Sequence, residues 1–312
     1  MDQRAPQSDI DLSVTIAGIV LKNPVMLASG TWGYGEEISS LLDLSQLGAV
    51  ITKGISLQPS CGNPPPRIVE TPSGMLNAIG LQNVGFAEFV EKKLPFLRQF
   101  HIPVIVNFFG KTAGEYTELG KRLSAVEGIA GLEVNISCPN IKEGGIFFGT
   151  EPARAHELIS AVRKATSLPL IVKLSPNVTD IARIARSVEE AGADALSLTN
   201  TFTGMVVDVE TCAPVLAHST GGLSGPAIRP LSLRMVWETV NAVSIPVIGI
   251  GGIMEAADAL QYLITGARAV QIGTALFIRP DAPLRIIEGI EAYLRHKGCS
   301  TLQEIIGCLK VK

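Results

Sequence analysis

Asn135, Ser137 and Cys138 stand together in Asn135-Ile136-Ser137-Cys138-Pro139-Asn140, just before the glycine-rich stretch Gly144-Gly145-Ile146-Phe147-Phe148-Gly149-Thr150. A thiol among amides and hydroxyls, beside a segment able to close over a ligand, can act as a nucleophile or as a base. The bland alternative is a small packing group, the usual fate of a free cysteine. Cys61, Cys212, Cys299 and Cys308 lack polar neighbours of this kind and are expected to be buried packing thiols. Lys53, Asn107, Lys173 and the pair Asn200-Thr201 likewise close or follow apolar runs. A single lysine is usually at the surface and a single asparagine usually caps a turn. Repeated at the ends of apolar runs, these residues point to one shared pocket.

Two more runs end on glycines, Gly249-Ile250-Gly251-Gly252 and Gln271-Ile272-Gly273-Thr274, and each opens onto a helical pattern. Glycines let backbone N–H groups approach a phosphate, and a helix N-terminus favours its charge. The same glycines could simply make tight turns.

These residues need a frame that brings run ends together. Eight β-rich runs recur with helical patterns between them, over residues 25–28, 49–53, 104–108, 131–136, 170–174, 195–199, 247–251 and 269–272. Repeated βα units make a parallel sheet, and eight strands close a barrel, with an open sheet as the alternative. The expected fold is a (β/α)8 TIM barrel. Between strands, residues 179–191 carry Ile181, Ile184, Ala185 and Val188 at helical spacing, with Gly192 as the stop. Residues 12–16 and 19–21 alternate around Ala17-Gly18 as a hairpin would, and are expected to plug the barrel bottom. The long segments 54–87, 137–151 and 200–230 all follow strands, on the face where barrel enzymes carry their chemistry. No second domain is visible, so residues 1–312 read as one domain.

Composition agrees with an α/β core: 46% of residues are hydrophobic and only 5% aromatic, which leaves Val, Ile, Leu and Ala to fill it. A net charge of −3 without a basic block offers no footprint for nucleic acid or an anionic membrane. Five scattered cysteines without a Cys-x-x-Cys pair hold neither metal nor iron–sulfur cluster and read as reduced thiols. Residues 1–9 have no signal-peptide pattern, and no run approaches a membrane span, so a cytoplasmic enzyme is expected.

Longer motifs identify a family. They are Leu27-Ala28-Ser29-Gly30-Thr31, Thr52-Lys53-Gly54, Gly62-Asn63-Pro64-Pro65-Pro66-Arg67, Asn77-Ala78-Ile79-Gly80-Leu81-Gln82-Asn83, the Cys138 run, Val172-Lys173-Leu174-Ser175-Pro176-Asn177, Thr199-Asn200-Thr201, Gly221-Gly222-Leu223-Ser224-Gly225-Pro226, and the two glycine runs. The chain resembles dihydroorotate dehydrogenase of class 1, type 1B, from the hairpin through the last barrel helix. That resemblance implies oxidation of dihydroorotate to orotate in pyrimidine biosynthesis, with FMN as cofactor. It assigns FMN contacts to Ser29, Lys53, Gly54, Asn107, Asn135, Lys173, Thr199, Gly225, Gly251, Gly252, Gly273 and Thr274. It assigns substrate contacts to Lys53, Asn77, Ala78, Ile79, Gly80, Leu81, Asn135, Asn200 and Thr201, and makes Cys138 the base.

The resemblance also implies a separate subunit carrying FAD and a 2Fe–2S cluster, which passes electrons to NAD, and a homodimer of this chain within a heterotetramer. The chain itself has no Gly-x-Gly-x-x-Gly unit for NAD, and without an amphipathic N-terminal helix it is not expected to use a membrane quinone. Two rivals share the barrel. A dihydropyrimidine dehydrogenase unit also has a cysteine after strand four, but residues 77–80 and 199–201 favour dihydroorotate. A Schiff-base lyase would use Lys173 or Lys53 as the amine and the glycines for a substrate phosphate.

Overall fold

Short runs of Val, Ile, Leu and Ala, buried on both faces, form the inner wall of the molecule. The computed structural model describes residues 10–137 and 148–311. Eight parallel strands close into a barrel in sequence order: β1 (Val25–Leu27), β2 (Ala49–Ile51), β3 (Val104–Phe108), β4 (Gly131–Asn135), β5 (Leu170–Lys173), β6 (Ala195–Leu198), β7 (Val247–Ile250) and β8 (Ala269–Ile272). Every residue of these strands is buried. Closure pairs β8 with β1, with Val270 opposite Val25. The open-sheet alternative is thereby excluded, and the strands stop up to two residues short of the expected ends.

Four strands begin immediately after a proline: Pro24, Pro103, Pro169 and Pro246. A proline has no N–H to give, so the first residue before a strand is where it costs least. Its carbonyl is still used: the amides of Val270, Val50, Leu132 and Leu196 donate to the carbonyls of Pro24, Pro103, Pro169 and Pro246.

Helices cover the barrel: α1 (Ala113–Ser124), α2 (Pro152–Ala165), α3 (Ile181–Glu190), α4 (Arg229–Val240), α5 (Ala256–Thr265) and α6 (Ala282–Lys297). In α3 the side chains expected to face the sheet, Ile181, Ile184, Ala185 and Val188, are the buried ones. Asp180 caps its start by accepting from the Arg183 amide at 2.9 Å, and Gly192 ends it at φ +98°.

The N-terminal hairpin pairs Val14–Ile16 with Ile19–Leu21. Its turn holds Ala17 and Gly18 at φ 50° and 82°, as a tight two-residue hairpin needs. Ile19 lies against Gly131, where a Cβ would sit 2.9 Å from its Cδ1. Gly131 is the first residue of β4, so the hairpin covers the N-terminal end of the barrel.

At the opposite end the segments read from sequence as loops contain a second sheet. Ile68–Thr71 and Gly74–Asn77, which follow β2, join Phe202–Gly204 and Gly221–Ser224, which follow β6, in one four-stranded antiparallel sheet. Leu76, Ala78 and Leu216 form its small apolar core. Among the described residues, no helix is long and apolar enough to cross a membrane.

Candidate active site

Between the C-terminal ends of the strands and the antiparallel sheet lies a cavity of about 660 Å³. From the barrel come Ser29, Lys53, Gly54, Asn107, Asn135, Lys173, Thr199, Asn200 and Thr201. The glycine turns contribute Gly225, Gly251, Gly252, Gly273 and Thr274, and the sheet and its flank contribute Asn77, Ala78, Ile79, Gly80 and Leu81. Every site residue expected from the sequence is therefore brought to one cavity, except Cys138, which lies outside the described residues. Its neighbour Ser137 does line the cavity.

The amides are held in place before any ligand arrives. Asn135 Oδ1 accepts from the Ser137 hydroxyl at 2.7 Å and from its amide at 3.2 Å. Asn200 donates through Nδ2 to Ser137 Oγ, while its Oδ1 accepts from the Thr201 amide at 2.8 Å. Asn77 reaches across the sheet to the Gly222 carbonyl at 3.4 Å. Asn63 donates to the Ala78 carbonyl at 2.9 Å and so anchors residues 77–81.

Sequence reading missed the residue that organises the floor. Glu133, fully buried inside the barrel, accepts from Asn107 Nδ2 at 2.6 Å, Ser197 Oγ at 2.8 Å and Gln271 Nε2 at 2.8 Å. Lys173 Nζ lies 3.8 Å from Glu133 and donates to Ser29 Oγ at 3.0 Å. The available signal was a lone carboxylate inside the apolar strand Gly131-Leu132-Glu133-Val134-Asn135. Lys173 is thus engaged by a carboxylate and a hydroxyl and is not free as the amine that a Schiff base needs.

Lys53 behaves differently. Burial, helped by the nearby Arg67 charge, holds its ammonium below the ordinary lysine range, and Glu37 opposes this. Arg67 is itself oriented by Gln82 Oε1 at 2.6 Å.

The glycine turns form a close-packed rim. Gly225, Gly251 and Gly252 have φ of +96°, +131° and +65°, and a Cβ on Gly252 would lie 2.7 Å from Arg229 Cβ. The residues leading into α5 are held by its own acid, since the amides of Met254 and Glu255 donate to Asp258 Oδ2 at 2.9 and 3.2 Å.

Cys61, Cys212, Cys299 and Cys308 are free, and none lines the cavity. Cys61, Cys212 and Cys308 are exposed, contrary to the burial expected for packing thiols. Among the described residues, no group of three or more His, Cys, Asp or Glu could hold a metal ion.

A family model described as Dihydroorotate dehydrogenase matches residues 11–294. The chain belongs to this family. It is 60% identical over 299 residues to a protein of Geotalea uraniireducens, covering 96% of this chain and 98% of that one. It is also 60% identical over 301 residues to proteins of Geotalea daltonii and Geobacter sulfurreducens, covering 96% of this chain and 99% of each. All three relatives carry the name dihydroorotate dehydrogenase B (NAD(+)), catalytic subunit. Membership accounts for the joint preservation of the Asn, Lys and Gly motifs around one cavity, which the barrel fold alone does not require.

Proposed function

We propose that this chain is the FMN-binding catalytic subunit of an NAD-linked dihydroorotate dehydrogenase, oxidising dihydroorotate to orotate in de novo pyrimidine synthesis in the cytoplasm, with residues 1–312 as one FMN-binding barrel. The observation that carries this reading is the convergence of the family's Asn, Lys and Gly motifs on a single cavity.

The residues present fit FMN. The floor offers Lys173 and two buried amide oxygens, Asn107 Oδ1 and Gln271 Oε1, that have no partner among the described residues. A ligand with a ring N–H would satisfy such an acceptor, and an orphaned buried carbonyl is otherwise costly. Thr274 and the Gly251-Gly252 and Gly273 backbones suit a phosphate group. Ser29, Lys53, Gly54, Asn107, Asn135, Lys173, Thr199, Gly225, Gly251, Gly252, Gly273 and Thr274 would hold it. FMN, when bound, supplies the acceptor for the hydride.

The chain supplies the rest. Asn77, Asn135 and Asn200 can each donate to and accept from the edge of a dihydropyrimidine ring. Residues 78–81 and Thr201 complete that wall, and Lys53 offsets the substrate carboxylate. Cys138 takes the proton from carbon 5 as the hydride leaves carbon 6, so that the ring gains its double bond and loses two electrons in all. The two electrons pass to NAD through a partner subunit carrying FAD and a 2Fe–2S cluster, in a heterotetramer built on a homodimer of this chain. Leu41 and Phe277, exposed apolar residues on the cavity lining, and the neighbouring Ile278 support a protein partner at this mouth.

The test is direct. Purified protein is loaded with FMN and mixed anaerobically with dihydroorotate, and flavin absorbance is followed, then NAD is supplied with and without the co-purified partner. Rapid loss of flavin absorbance is expected, with NAD reduction only when the partner is present. A protein that takes up no FMN, or whose flavin ignores dihydroorotate, would sink the reading. Cys138→Ser should slow flavin reduction at neutral pH by about 100-fold or more, the range for loss of a general base, and recover as pH rises. An unchanged rate and pH profile removes Cys138 from that role.

A further inference from the structure

Glu133 lies one layer below the cavity and touches no cavity volume itself, yet three residues that do line it, Asn107, Lys173 and Gln271, converge on its carboxylate. An ionised carboxylate only accepts hydrogen bonds. Both amides must therefore turn their NH2 groups down to Glu133, which leaves Asn107 Oδ1 and Gln271 Oε1, the two oxygens without a partner among the described residues, as the acceptors they can offer elsewhere. Ser197, buried and outside the cavity lining, adds a third donor and holds the carboxylate from the far side. The same anion lies 3.8 Å from the Lys173 ammonium, which is itself nearly inaccessible to solvent.

From this geometry, and resting on the FMN reading above, we propose that Glu133 is a positioning residue for the flavin: it turns the Asn107 and Gln271 carbonyl oxygens toward the cavity and sets a negative charge 3.8 Å from Lys173. The logic is electrostatic. A buried ammonium is costly without a counter-charge, and an opposite charge within a few ångströms supplies one. Ser29, the other group bonded to Lys173, is neutral and cannot do this. Among the described residues, the other ionisable side chains lining the cavity are Glu37, Lys53 and Arg67. Two of those three are cationic, so Glu133 and Glu37 are the anions available to balance the site.

The variant Glu133→Gln keeps the shape, removes the charge and places an extra NH2 among donors. It is compared with the native protein for melting temperature, FMN dissociation constant, and midpoint potential of the bound flavin between pH 6 and 9. The expected result is a folded protein whose FMN dissociation constant rises at least tenfold. Its potential is expected to lie above the native value, because the variant lacks the negative charge 3.8 Å from Lys173. A potential curve superimposable on the native one, whatever the FMN affinity, reduces Glu133 to packing and overturns the proposal. If Glu133→Gln folds poorly or does not load, Glu133→Asp decides, because it retains the charge. Recovered loading supports the electrostatic role, and equal loss in both variants overturns it. Native protein that binds no FMN would remove the functional reading and this one together. Native protein that binds FMN and oxidises dihydroorotate while Glu133→Gln matches its potential removes only this one.

Discussion

Lys53 and Lys173 line one cavity, yet their surroundings prepare them for different tasks. Lys173 is buried beside a carboxylate, while Lys53 is half-buried near Arg67 and held below the ordinary lysine range. If Lys53 offsets the substrate carboxylate, only its protonated form binds. That form is present below its lowered pKa and is lost as pH rises through it. The KM for dihydroorotate should then climb on the alkaline side, earlier than an ordinary lysine would dictate. Lys53→Met should raise KM at neutral pH by about 10- to 100-fold, the worth of one charged hydrogen bond of roughly 1.5–3 kcal/mol, and should abolish the alkaline rise. An alkaline limb that survives the substitution assigns the titration to another group. Lys53 was legible in the sequence because it ends an apolar run as Asn107, Asn135 and Lys173 do, and that shared placement outweighs the usual surface role of a lone lysine. Glu133 was passed over because it sits inside such a run, where periodicity marks the strand but says nothing of which polar partners close around it.

Among the elements, the barrel strands were easy to read and the antiparallel sheet was not. Buried parallel strands are continuous runs of Val, Ile, Leu and Ala, and prolines mark four of their starts. The strands of the second sheet are three or four residues long and partly exposed, and its central pairing, Asn77 with Gly222, joins segments more than 120 residues apart. Such pairing leaves no local periodicity to detect. The glycine turns were legible as glycines, and the anion contact proposed for Gly251 and Gly252 falls on backbone at φ +131° and +65°. Gly252→Val tests this, since φ +65° and the nearby Arg229 Cβ leave no room for a branched side chain. Purified Gly252→Val should show a flavin-to-protein ratio well below the native one while its far-ultraviolet circular dichroism stays native. Native flavin content would argue that the turn does not hold the cofactor.

For the whole molecule, the two ends of the barrel have separate duties. The hairpin covers the N-terminal end with Leu21 fully buried and Ile19 against Gly131. Leu21→Ala should cost about 2–5 kcal/mol, the range for a truncated buried leucine, and lower the urea midpoint. The KM for dihydroorotate and the FMN affinity of the folded fraction should not change. A large change in either would mean that the two ends are coupled. At the other end, the antiparallel sheet is one body made from segments that leave the barrel after β2 and after β6, and it carries Asn77 on one strand and is flanked by Asn200 and Thr201 on another. On the proposed assignment, the cofactor would be held by the barrel and the glycine turns, while much of the substrate wall would belong to this roof. The two recognition problems are thus assigned to parts of the chain that can vary with some independence. A lineage could exchange the roof and acquire a different ring substrate while inheriting its redox chemistry unchanged, and it would have to exchange both segments together, because the strand that ends in Asn77 pairs with Gly221–Ser224 of the other segment.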